Sequence, residues 1–140
     1  MGKKTNASVS LDKEMAFEAE VNGHKFMIDA DEKVGGKDRG PRPKPLLLTS
    51  LAGCSAMDVV SILRKMRVEF EEFHIDVEAN NTEEHPKHYD TIKLIYRFKG
   101  KDLPMDKLEK AVNLSQDRYC GVTYMLQKAV DVQHEIKVEE

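Results

Sequence analysis

Three changes of rhythm along the 140 residues predict an α+β fold. Apolar and polar residues alternate from Ala7 to Leu11 and on both sides of Asn22-Gly23, a nearly unbroken apolar run with helical spacing follows from Pro45, and alternation returns after Glu72, with helical spacing again between the later strands. Strands, a long helix, then strands, helices and a last strand amount to α+β.

The first strands are fixed by Asn22-Gly23, the pair preferred in a two-residue type I′ turn. With these two as the loop, Val21 faces His24, Ala19 faces Phe26, Phe17 faces Ile28 and Met15 faces Ala30, which gathers the apolar side chains on one face. Ala7, Val9 and Leu11 alternate likewise and predict a preceding strand. Asp31 to Lys44 is dense in Gly35, Gly36, Gly40, Pro41 and Pro43, a loop with a fixed path into the helix behind it. That helix runs from Pro45, tolerated in a first turn, to about Met66 or Arg67. It is apolar nearly all round, so it needs cover on every side, and a second subunit is expected to supply what one sheet cannot. Phe73 to Ala79 and Ile92 to Phe98 alternate as half-buried strands. Leu103-Pro104 opens a shorter helix with Leu108, Ala111 and Val112 on one face; a break near Ser115 to Tyr119, a helical segment from Val122 to about Lys128 and a strand from Val132 to Val138 complete the chain.

The size suits one domain, residues 1–140, with a core large enough to need no metal or disulfide support. The 22 basic residues are scattered among 25 acidic ones, which removes the footprint of a nucleic-acid binder. The apolar run is long enough to raise the question of a membrane span, but it holds Gly53, Asp58 and several hydroxyl residues and lacks aromatic anchors at its ends, so a buried core helix is expected.

Cys54 and Cys120 are the only cysteines. No hydrophobic leader precedes them, so the expectation is a cytoplasmic thiol pair rather than a secretory staple. Such a pair is either two small packing residues or a nucleophile with its resolving partner. Cys54 lies among Gly53, Ser55 and Ala56, where small neighbours permit close approach. Cys120 precedes Gly121 at a helix start, where backbone N–H groups favour a thiolate. Asp58 is one turn beyond Cys54 on the same face and, if buried, needs a partner; Arg39, Arg42, Arg64 and Arg118 are available, and an arginine near Cys54 would lower its pKa. The five histidines match no strong zinc spacing and neither cysteine has a close-spaced second sulfur, so no metal is expected.

Gly35-Gly36, Gly40-Pro41-Arg42-Pro43, the helix from Leu46 through Gly53-Cys54-Ser55-Ala56-Met57-Asp58, and Leu114-Ser-Gln-Asp-Arg-Tyr-Cys-Gly-Val with Met125-Leu126 together resemble the OsmC/Ohr proteins, named for osmotically inducible protein C and organic hydroperoxide resistance. The likeness is to the OsmC-like branch and extends over nearly the whole chain. It implies antiparallel sheets around a long central helix, an intertwined homodimer, and a site at the subunit interface. It further implies that Cys54 attacks an organic hydroperoxide and becomes a sulfenic acid, that Cys120 condenses with it to a disulfide, and that an external dithiol, a lipoylated protein in the hydroperoxide-resistance branch, restores both thiols. No bound cofactor is implied. Two departures stand out: Lys44 occupies the position, ten residues before Cys54, where peroxidase members carry a glutamate, and Asp12 and Lys13 stand where those members carry an arginine. Arg39 or Arg42, in one subunit or across the dimer, is then expected to approach and activate Cys54, with Asp58 or another carboxylate orienting it. The competing expectation is a dimer that binds a small apolar or acyl ligand or senses oxidants, without efficient peroxidase activity. A purely structural interaction domain has no positive signal in the sequence.

Overall fold

In the computed structural model, which describes residues 2–140, β1 (Ala7–Lys13), β2 (Ala16–Val21) and β3 (His24–Ile28) form an antiparallel sheet in that order. Asn22 and Gly23 turn the hairpin with φ of 51° and 79°, the left-handed pair that type I′ geometry requires. The register follows: Val21 opposes His24, Ala19 opposes Phe26 and Phe17 opposes Ile28. The fourth expected pair, Met15 with Ala30, lies beyond the strand ends. β1 pairs Val9 with Ala19 and Leu11 with Phe17, and both Val9 and Leu11 remain exposed.

This sheet belongs to a unit that extends to Leu47; a second unit runs from Leu48 to the end of the chain. In the first unit the path of the Gly/Pro-rich loop is set by a buried carboxylate. Asp29 accepts backbone N–H bonds from Ala30 at 2.7 Å and from Lys37 and Arg39 at 3.1 Å each. Burial pushes the Asp29 carboxyl up, but those three donors and the Arg39 charge outweigh it and hold the group below its usual range. Gly36 and Gly40 press backbone on backbone: a Cβ would stand 1.8 Å from the Ala30 carbonyl oxygen or 2.1 Å from that of Met27.

Helix α1 (Leu46–Lys65) begins after Pro45, whose missing N–H costs nothing in a first turn. Its buried residues, Leu51, Ser55, Val59 and Leu63, recur every fourth position as one stripe. It closes in a Schellman motif: Val68 N–H bonds Leu63 O at 2.9 Å and Arg67 N–H bonds Arg64 O at 3.1 Å, with Arg67 left-handed at φ 59° and Val68 in the same core as Leu63. Length and composition alone would let α1 cross a membrane. Its stripe is instead the centre of a packed core.

The second unit holds β4 (Glu72–Asn81), β5 (Tyr89–Lys99) and β6 (Asp131–Glu139) in that order. β4 and β5 are antiparallel as expected, whereas β6 runs parallel to β5, so the expectation of wholly antiparallel sheets holds for the first sheet and the second is mixed. The cause is the connection: α2 (Met105–Leu114), a π-helical turn (Ser115–Tyr119) and α3 (Gly121–Leu126) carry the chain back to the starting end of β5. The predicted break after α2 is thus a continuation with wider hydrogen bonding. Leu51, Val59 and Leu63 of α1 pack with Ile92, Leu94, Tyr96 and Phe98 of β5 and with Leu108, Ala111 and Val112 of α2. The α+β class is borne out.

Arg67 carries the steric cost of a left-handed residue with a Cβ. Arg67→Gly should therefore raise stability by up to about 1 kcal/mol, read as a higher urea midpoint at unchanged slope; a lowered midpoint would contradict the cap assignment.

Candidate functional site

Cys54 lies mid-way along α1 and Asp58 one turn later, the spacing that sets two side chains side by side on one helix face. Cys120 arrives from the π-helical turn, where its N–H bonds Ser115 O, five residues back, at 2.8 Å. It caps α3, its sulfur accepting the Thr123 N–H at 3.4 Å. The fold brings Cys54 Sγ, Cys120 Sγ and an Asp58 carboxylate oxygen within 4.8 Å of one another. Both cysteines are free thiols, Cys120 buried and Cys54 half-buried. Cys54 hydrogen-bonds with Cys120 and accepts the backbone N–H of Val122.

Behind the thiols runs a buried polar chain. Ser55 Oγ lies 2.5 Å from Tyr96 Oη and 2.8 Å from Ser115 Oγ. Ser115 Oγ donates to Asp58 Oδ2 at 3.0 Å and Gln116 Nε2 donates to Tyr96 Oη at 2.5 Å. A carboxylate only accepts and each hydroxyl has one proton, so the donor sense is determined throughout: Gln116 to Tyr96, Tyr96 to Ser55, Ser55 to Ser115, Ser115 to Asp58. Burial pushes the Tyr96 phenol up, which keeps it a donor. Ser55, Ser115, Tyr96 and Gln116 were not expected as site residues. Ser55 and Tyr96 leave only the trace of a hydroxyl in a mainly apolar stretch, and Ser115 and Gln116 open the polar run Ser-Gln-Asp-Arg, which gives no sign of burial.

Burial pushes the Cys54 thiol up, and its hydrogen bond with Cys120, the Cys120 charge and the Asp58 charge add to this; only the Val122 N–H works the other way. None of these groups is cationic. Arg39 pairs with Glu14 at 3.0 Å, and Arg42 with Asp38 at 2.6 Å and Asp31 at 3.5 Å. Both guanidinium groups are thus engaged by carboxylates of the N-terminal unit. Asp58 is partnered by a serine hydroxyl rather than by an arginine.

The family profile for OsmC-like proteins matches residues 35–135. The chain is 35% identical to protein YhfA of Escherichia coli K12 over 118 residues, 84% of this chain and 85% of that one. A hypothetical protein from Aquifex aeolicus VF5 superposes with a TM-score of 0.84 at 30% identity, over 99% of this chain and all of its own. An organic hydroperoxide resistance protein OsmC from Legionella pneumophila superposes with a TM-score of 0.72 at 17% identity, covering 97% and 98%; at that identity the likeness is one of fold.

Two measurements check the site as built. Asp58→Asn removes a negative charge that raises the Cys54 pKa, so the midpoint of iodoacetamide alkylation against pH should fall; a rise would place Asp58 in another role. Tyr96→Phe leaves Ser55 and Gln116 short of a partner in the core and should cost about 1–3 kcal/mol in chemical denaturation.

Proposed function

The chain belongs to the OsmC-like protein family, and from that premise we propose that it reduces organic hydroperoxides with Cys54 and Cys120 as a working dithiol. The observation that carries this reading is the approach of the two free thiols, from α1 and from the π-helical turn, to within 4.8 Å. In the proposed cycle the Cys54 thiolate attacks the outer peroxide oxygen and the O–O bond breaks. The alkoxide takes a proton and leaves as alcohol, and Cys54 becomes a sulfenic acid. Cys120 then attacks that sulfur, water leaves, and a disulfide remains. An external dithiol, with a lipoylated protein as the proposed source, returns both thiols by exchange. The cytosol is the proposed compartment, since thiols stay reduced there.

A second reading has an observation in its favour. The upward shift of Cys54 leaves little thiolate at neutral pH, which suits an oxidant sensor or a small-ligand binder better than a fast peroxidase. Stopped-flow oxidation by cumene hydroperoxide against hydrogen peroxide separates the two. The peroxidase reading expects a marked preference for the organic peroxide, a rate that climbs with pH as thiolate forms, and a Cys54–Cys120 disulfide within one chain. Slow oxidation with no such preference would leave the second reading. Arg39 and Arg42 are proposed as further activating residues: Arg39→Met or Arg42→Met should raise the alkylation midpoint and slow oxidation about tenfold or more. Unchanged profiles in both would reject that role.

The working form is proposed to be an intertwined homodimer. Met57 is 76% exposed on α1, in an open groove of about 560 Å³ lined by Ala56, Met57, Val60, Ser61, Arg64 and Lys65, a mainly apolar surface that a second copy would cover. Sedimentation at micromolar concentration should give a dimer that barely dissociates. A stable, well-folded monomer would sink this assembly.

A further inference from the structure

We propose that Cys54, Cys120 and Asp58 form a binding site for a thiophilic divalent cation of the zinc type. Sequence spacing gives no hint of this, since neither cysteine has a near neighbour of its own kind; folding supplies the second sulfur. The three donor atoms lie within 4.8 Å of one another. Around a tetrahedral zinc the S···S and S···O separations are about 3.8 and about 3.5 Å, from Zn–S near 2.3 Å and Zn–O near 2.0 Å. Small side-chain rotations therefore close the site. Two sulfurs and one carboxylate favour zinc over calcium or magnesium, which take oxygen ligands, and leave a fourth position for water or another ligand.

A second observation supports the assignment. Each of the three donors already carries a hydrogen bond from a different group: Val122 N–H to Cys54 Sγ, Thr123 N–H to Cys120 Sγ at 3.4 Å, and Ser115 Oγ to Asp58 Oδ2 at 3.0 Å. Such outer partners orient metal ligands and support their charge. Ser115 is itself fixed by Ser55. Binding would release two thiol protons to solvent as both sulfurs ligate, and both sulfurs would then be withheld from oxidants. The proposal does not rest on the hydroperoxide reading, because it needs only the reduced thiols.

The test is a Co²⁺ titration of the reduced, chelator-treated full-length protein under anaerobic conditions. One Co²⁺ per chain should bind with an intense thiolate-to-cobalt charge-transfer band, and Zn²⁺ should bleach it. Cys54→Ser and Cys120→Ser should each greatly diminish the band, Asp58→Asn should weaken binding about tenfold or more, and Ser115→Ala roughly 10–100-fold. No charge-transfer band in the native protein overturns the proposal, as does unchanged affinity in Asp58→Asn. Blocking both thiols of the folded native protein with methyl methanethiosulfonate provides a control independent of variant folding: binding that survives it places the cation elsewhere and overturns the assignment. The hydroperoxide assay is run without metal, so failure of either reading leaves the other legible.

Discussion

In the second unit, helix, sheet and crossover meet at the buried hydroxyl of Ser55. The buried stripe of α1 reads Leu51, Ser55, Val59, Leu63, and at its second position a hydroxyl replaces the expected hydrocarbon. A buried hydroxyl without a partner costs a kilocalorie or more on mutational scales, so β5 must present Tyr96 and the segment after α2 must present Ser115. Those two demands tie helix, sheet and crossover together at one point. The apolar contacts around it, from Leu51 to Ile92 and Leu108, supply most of the burial. They would tolerate sliding that the hydrogen bonds do not.

From that point the reactive groups follow. Ser115 can meet Ser55 and Asp58 together because the chain there opens into a π-helical turn, and the same turn brings Cys120 toward α1. Cys54 and Asp58 come from the helix itself. The two sulfurs are thus carried by separate elements whose meeting is fixed through Ser115, and a site mounted this way keeps its geometry better than one carried on a loop. The acceptor end of the polar chain is the Asp58 carboxylate, so the donor sense of three hydroxyls, Ser115, Ser55 and Tyr96, is set by a group beside the thiols.

What could be read in advance depended on how local the cause was. Asn22-Gly23 dictates its own φ values, so the hairpin register followed to the residue pair. Cys54 and Asp58 were legible as neighbours because helical spacing puts them there. The parallel placement of β6 was not, since alternation reports which face is buried and not which way a strand runs. Nor was the polar chain, because Tyr96 sits in β5 where an aromatic is expected anyway, and Ser115 lies in what read as a break. Asp29 was missed for a similar reason: one carboxylate in a charged, Gly/Pro-rich stretch gives no sign that three backbone N–H groups converge on it. The ion pairs of Arg39 and Arg42 were not legible either, with carboxylate partners 25 residues away in one case and close by in the other.

The electrostatics of the site impose one demand on every reading of it. Two thiols and a carboxylate share a volume in which the groups acting on Cys54 include no positive charge, and the Asp58 and Cys120 charges both oppose its ionisation. Ser115 donates to the Asp58 carboxylate, and a Cys54 thiolate beside it must overcome repulsion as well as burial. A compensating positive group would ease ionisation of Cys54, and the proposed candidates differ only in where that charge comes from. A guanidinium would supply it and leave the sulfur free to attack; a divalent cation would supply it and occupy the sulfur. On the two proposals, the same three groups would serve oxidation chemistry or cation binding according to which positive charge reaches them.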